Sequence, residues 1–199
     1  MLKVLNNGYV ELIEYMGGDE AVARNARRCW ESEDKSNPEA DARLIKHLFK
    51  KEHKTPFEAM VFTFDVKAPL FVARQWMRHR IGSYAEKSLR YCVADIDFYI
   101  PEGLNDAMLE TWKNDNYRQF AAYEAYLNQG IPKEQARAIL PIGIYTKFYW
   151  TVNGSSLINF LKLRLDKAAQ KEIRSYAEAI LSLTKEVAPI TFNLLEGEQ

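Results

Sequence analysis

Cysteine and histidine are scarce in this 199-residue chain, and the shortage removes whole classes of chemistry. Its two cysteines, Cys29 and Cys92, are too few for a disulfide framework or a structural zinc cage, and no Pro-Cys-His segment presents either as a thiolate. They read as core or bystander residues of a protein in a reducing cytoplasm. The three histidines, His47, His53 and His79, lack the spacing of an HExxH or cysteine-paired ligand set, so no metal is expected. No GxGxxG or P-loop pattern occurs, so any nucleotide is held in another way. Ser88 has no neighbouring base at the spacing of an activated nucleophile. Charge of one sign is lacking too. The 27 Lys plus Arg balance 27 Asp plus Glu, which argues against a surface built as a whole for nucleic acid or anionic membrane and confines any anion site to a local cluster. The longest apolar runs, around 68–73 and 138–144, fall well short of the ~20 residues that cross a bilayer. The opening MLKVLNNGYVELIEYMGG has no apolar signal-peptide core, which adds to the expectation of a soluble, cytoplasmic protein.

What the chain does have is 47% hydrophobic residues in clear periodicities, enough for a single domain over 1–199. Strands are predicted over 10–15, closed by Gly17 and Gly18, over 60–66 (MVFTFDV) and over 144–152 (IYTKFYWTV). A helix is predicted over 21–30. A second starts at Pro38 behind an Asn37 cap, carries Leu44, Ile45, Leu48 and Phe49 on one stripe, and stops near His53 because Thr55 precedes Pro56. A third, over 69–80, turns Leu70, Ala73 and Met77 to one side and Arg74, Gln75, Arg78 and His79 to the other, with Gly82 ending it. An irregular or short extended segment over 83–91 follows. Further helices are predicted over 104–127, between Pro132 and Pro141, over 155–164 and over 168–186.

Between Lys67 and Tyr91 the cations Arg74, Arg78, Arg80, Lys87 and Arg90, with His79, face a single acid, Glu86. One reading is a solvated helix end that complements the macrodipole. The other is a local anion site, favoured by Gln75, Ser83, Ser88 and two tyrosines in the same segment, donors suited to a phosphate and a planar base. Arg80 falls on the stripe of Ala73 and Met77. It is either paired internally or lies where the helix has unwound, and it reads equally as a structural arginine or a ligand contact.

Arg78-His79-Arg80 followed, after seven residues, by Ser88, with Arg90 and Tyr91 continuing, resembles the signature of the flavin-dependent thymidylate synthases. The resemblance extends to His53-Lys54-Thr55-Pro56-Phe57-Glu58, to FDVKAPLFVARQWMRHR, and to Ala136-Arg137-Ala138-Ile139-Leu140-Pro141. It continues through Phe148-Tyr149-Trp150-Thr151-Val152-Asn153 and Asn159-Phe160-Leu161-Lys162-Leu163-Arg164, in the same order, to about Thr191. It implies an α+β fold, with several helices packed on an antiparallel-rich sheet, and a homotetramer with sites at subunit interfaces. It also implies reductive methylation of dUMP to dTMP, with methylenetetrahydrofolate giving the carbon and NADPH reducing FAD. The flavin hydride then does the work that a cysteine thiolate does in other thymidylate synthases.

Carried over residue by residue, the resemblance places Gln75, Arg78, Glu86, Lys87, Ser88, Arg90, Arg137 and Arg164 around dUMP. Arg164 is the expected catalytic residue, facing the uracil edge to stabilise negative charge on N3 and O2. Thr55, Arg78, His79, Arg80, Ile81, Glu86, Asn153, Ser155 and Asn159 match segments that hold FAD, and His53 and Tyr91 match the folate and NADPH face. Bland alternatives stand beside three of these: Thr55 as a helix stop, Asn153 as a turn, Asn159 as a satisfied buried amide. Departures from the family pattern fall at Ala85, Leu89, Ser155 and Ala168, which implies weaker or altered flavin contacts. The rival readings are a nucleotide- or RNA-binding module built on the arginine cluster and a degenerate homologue without flavin.

Overall fold

The computed structural model describes residues 1–198. In chain order the elements are β1 (Leu2–Val4), β2 (Gly8–Met16), α1 (Asp19–Arg28), α2 (Pro38–Lys50), β3 (Val61–Pro69), α3 (Leu70–Trp76), β4 (Ser83–Glu86), α4 (Asp106–Asn128), α5 (Lys133–Ala136), β5 (Tyr145–Asn153), α6 (Gly154–Arg164), α7 (Lys171–Val187) and α8 (Pro189–Asn193). The strands form one antiparallel sheet in the order β1-β2-β3-β5-β4.

Alternation decides which face of that sheet is covered. Phe62, Phe64, Val66 and Ala68 on β3 and Phe148, Trp150 and Val152 on β5 are buried, while Thr63, Asp65, Lys147 and Tyr149 take the other face. Trp76, at the end of α3, sits among the buried rings, 5.4 Å from Phe148, 5.3 Å from Trp150, 5.0 Å from Phe160 and 5.7 Å from Tyr176. A smaller cluster of Phe98, Phe120 and Ile144 lies under α4, with Leu70, Leu89 and Leu140 packed against it. Both cysteines are exposed, so of the two readings for them only the bystander survives.

The Asn37 cap is realised, its side chain accepting from the Ala40 N–H at 2.9 Å. The third helix is shorter than its periodicity predicts and ends at Trp76 rather than Arg80. Burial of Trp76 anchors the last turn, and Gly82 must then pass so close to Trp150 that a Cβ there would lie 2.9 Å from the indole nitrogen. The chain therefore leaves the helix, turns through His79 N–H to Trp76 C=O, and enters β4 paired against β5 from Ser83–Thr151 to Glu86–Phe148. Arg80 is exposed beyond the helix, which selects the unwound alternative for it. The segment 132–141 holds only one turn of α-helix before a 3-10 turn, and α7 begins at Lys171, three residues later than expected. Strand β1 and helix α8 carry no periodicity long enough to predict them.

Candidate functional site

Strand β4 and the turn after it bring three of the expected nucleotide residues to one place, and the 3-10 turn after α5 adds a fourth. Glu86, Lys87, Ser88 and Arg137 line a cavity of about 500 Å³, closed by Leu70, Leu89, Leu140 and Ile144 and by Asp95, Tyr145 and Thr146. The register explains the gathering. Lys87 N–H bonds the Lys147 carbonyl at 2.9 Å, continuing the β4–β5 ladder and holding 86–88 beside the start of β5. Thr146, buried on β5, donates its hydroxyl to Glu86 Oε1 at 2.7 Å.

The cations here are not faced by a single acid. Lys87 Nζ meets Asp95 at 2.7 Å, and Arg90 Nε meets Glu134 on α5 at 3.1 Å. The Lys87 ammonium holds the Asp95 carboxyl below its ordinary range. Asp95 and Glu134 were legible only as remote acids. Glu134 lies three residues before Arg137, one helical turn away, but that spacing does not point to its partner Arg90. Tyr91 is exposed, its ring 5.7 Å from the Arg90 guanidinium.

A second group forms where α3 and α6 end side by side. Arg164, in the last turn of α6, donates through Nε to His79 Nε2 at 3.1 Å and through Nη2 to the Gln75 carbonyl at 3.3 Å. That carbonyl is one of the orphan acceptors at the end of α3, and the two helix C-termini together favour a cation. Burial, with the Arg164 charge beside it, pushes the His79 imidazole down to about 4. Burial and the nearby Arg78 lower Arg164 from its ordinary value. Gln75 uses its side chain on Gln170.

A third group lies at the start of α6. His53, Ser155 and Asn159 share a small pocket of about 70 Å³ with Phe49, Phe57, Ile158 and Lys54. Asn159 is exposed, so it is not the satisfied buried amide. Asn153 caps α6 through its side chain, accepting from Ser156 N–H at 2.8 Å, and its carbonyl oxygen is thereby occupied. Thr55 begins a 3-10 turn and is exposed, as are Arg78, Arg80 and Ile81. Of the departures, Leu89 lines the larger cavity and Ala85 sits on β4, while Ser155 borders the small pocket and Ala168 is exposed after α6. Among the described residues, the larger cavity and the small pocket share no lining residue, and Arg164 and His79 line neither. Among the described residues, no group of three His, Cys, Asp or Glu is placed to hold a metal, and no helix is long and apolar enough to cross a membrane.

The chain thus holds a cavity of about 500 Å³ edged by Lys87 and Arg137 and, at the junction of α3 and α6, an arginine held by neutral acceptors. A family described as "Thymidylate synthase complementing protein" matches residues 11–190. The flavin-dependent thymidylate synthase of Thermotoga neapolitana is 44% identical, the match covering 96% of this chain and 92% of that one. That of Borreliella burgdorferi is 38% identical over 98% of this chain and 82% of its own. Among solved structures, the UMP/dUMP methylase PolB from Streptomyces cacaoi, bound with 5-Br dUMP, superposes with a TM-score of 0.91 at 28% identity, covering 98% of this chain and 97% of that one. The chain belongs to the flavin-dependent thymidylate synthase family and is an enzyme of the methyltransferase class.

Proposed function

We propose that this chain, acting as one unit over 1–199, catalyses the reductive methylation of dUMP to dTMP in the cytoplasm. Methylenetetrahydrofolate is the carbon donor, and NADPH provides reducing power through FAD. The observation that carries this reading is the cavity of about 500 Å³ with Glu86, Lys87, Ser88 and Arg137 on its wall. Its volume falls within the ~300–1,000 Å³ usual for small-molecule sites. Arg137 and Ser88 offer a guanidinium fork and a hydroxyl to the phosphate, Lys87 a point charge, and Leu70, Leu89 and Ile144 an apolar bed for sugar and base. Arg164 meets the uracil edge and stabilises negative charge on N3 and O2, which activates C5 toward the one-carbon unit.

The pocket of His53, Ser155 and Asn159 fits the edge of a flavin: an imidazole, a hydroxyl and an amide stand against the apolar walls of Phe49, Phe57 and Ile158. At about 70 Å³ it is far too small to enclose one, which fits the homotetramer that the family resemblance implies, with neighbouring copies closing the site. FAD held there, once reduced by NADPH, would supply the hydride, so the chemistry needs no enzyme thiolate. The balanced charge of the chain argues against a nucleic-acid partner.

Two measurements test the reading. The purified protein, with dUMP added, is expected to show a flavin absorbance spectrum. It is also expected to release tritium from C5-labelled dUMP only when NADPH and methylenetetrahydrofolate are both present. UMP run in parallel tells whether the ribose is discriminated. Flavin-loaded protein that releases no tritium from either nucleotide overturns the proposal.

A further inference from the structure

We propose that His79 is a positioning residue for Arg164: with the Gln75 carbonyl it fixes the plane of the guanidinium and leaves Nη1 to meet the nucleotide. The inference rests on the reading that Arg164 contacts dUMP, and it gives His79 a role distinct from holding flavin. Two different nitrogens of the guanidinium are engaged, Nε with His79 Nε2 at 3.1 Å and Nη2 with the Gln75 carbonyl at 3.3 Å. Because the group is planar, two such bonds determine the direction of its remaining N–H groups.

The imidazole is itself held. Its ring packs edge-on against Phe160 at 4.9 Å, one turn before Arg164 on the same helix. Its main chain is tied by the Tyr84 hydroxyl, which donates to the His79 carbonyl at 2.9 Å, and by His79 N–H to the Trp76 carbonyl at 3.0 Å. Accepting at Nε2 requires the proton on Nδ1 and an uncharged ring, and the depressed basicity of His79 keeps it uncharged at neutral pH. The choice of partner matters electrostatically. A carboxylate in that place would orient Arg164 equally well but cancel its charge, whereas an imidazole and a carbonyl orient it and leave the positive charge for the ligand.

A double-mutant cycle on the holoenzyme tests this, reading dUMP affinity by titration calorimetry and KM and kcat by tritium release. His79→Leu is expected to weaken dUMP binding about tenfold, the loss typical of a hydrogen bond to a charged group. His79→Gln, whose side-chain carbonyl reaches near the Nε2 position, is expected to recover most of it. Arg164→Ala is expected to lose more, and adding His79→Leu to it is expected to cost nothing further. Independent, multiplying losses in the double variant overturn the proposal, as does a His79→Gln variant no better than His79→Leu. So does His79→Leu that sheds flavin while binding dUMP normally. If Arg164→Ala alone binds and turns over dUMP like the parent, the reading of Arg164 fails at its root, a result separable from the others. Should His79→Leu not fold, His79→Asn, whose acceptor stops short of Nε2, replaces it in the cycle.

Discussion

The molecule keeps two kinds of cation. On the segment after β4, Lys87 at the larger cavity and Arg90 beyond its lining are each already matched by a carboxylate, Asp95 and Glu134. At the junction of α3 and α6, Arg164 is half-buried, and among the described residues it has no carboxylate partner, only His79 and a main-chain carbonyl. The first kind exchanges one anion for another when a phosphate arrives, so its net contribution is modest and screened by salt. The second keeps its full field in a partly desolvated place, which is where a fixed charge does most for a reaction that gathers negative charge on a ring. The cavity edge is thus assigned to affinity alone, and the helix junction to rate as well as affinity.

Removing Arg164 is the severest way to break this division. Arg164→Ala is expected to lower kcat by about 100- to 1,000-fold, the cost of deleting one preorganised donor, with the flavin spectrum retained. A variant that loses only affinity would move Arg164 into the first group. Arg137→Ala at the cavity wall is expected to act on KM, weakening dUMP about 10- to 100-fold while kcat changes little, as calorimetry and initial rates will show. Glu134→Gln sharpens the contrast from the opposite side. Freed of its carboxylate, Arg90 is expected to bind dUMP about two- to fivefold more tightly at low salt, with the gain fading as salt is raised. An unchanged affinity at every salt concentration would show that Arg90 stands apart from the phosphate.

Legibility in the sequence follows the same line. The buried alternation of 60–66 and 144–152 was readable because each strand has one covered face, and the Asn37–Pro38 helix start because capping is local. The clustering of Glu86, Lys87 and Ser88 with Arg137 was implied by the family resemblance, and the structure brings them to one cavity. Two things depended on tertiary packing and were not readable. Trp76 cut the third helix short, because an aromatic core overrides a surface periodicity. Asp95 and Glu134 became partners of the arginine segment only through the path of the loop and the placement of α5. The cap formed by Asn153 is a local feature, visible in the Asn-Gly-Ser-Ser run, that a functional reading of the asparagine passed over.

The smallest expected effect is on stability, and it separates the two regions by pH. His79 is shifted from 6.5 to about 4 by burial and by Arg164. Unfolded, its imidazole takes up a proton near its ordinary value; folded, it resists until far lower pH. The unfolded state therefore binds more protons across the interval, and this group destabilises the fold progressively as pH falls from about 6.5 toward 4, with no effect above that window. Because the ring is half-exposed, solvent screening keeps the effect small. Asp95 behaves in the other sense and in another window. Its carboxyl is held below 3.8 by Lys87, so the stability it contributes is present above that value and is lost only as pH drops beneath it. Melting temperatures of the parent, His79→Gln and Asp95→Asn, measured from about pH 7 to 3, are expected to diverge accordingly. The His79→Gln curve should flatten relative to the parent between about 6.5 and 4, and the Asp95→Asn curve only at the acid end. A constant gap between parent and His79→Gln over the whole range would mean that the imidazole is not sequestered with Arg164, and the distinction between the two kinds of cation would fall with it.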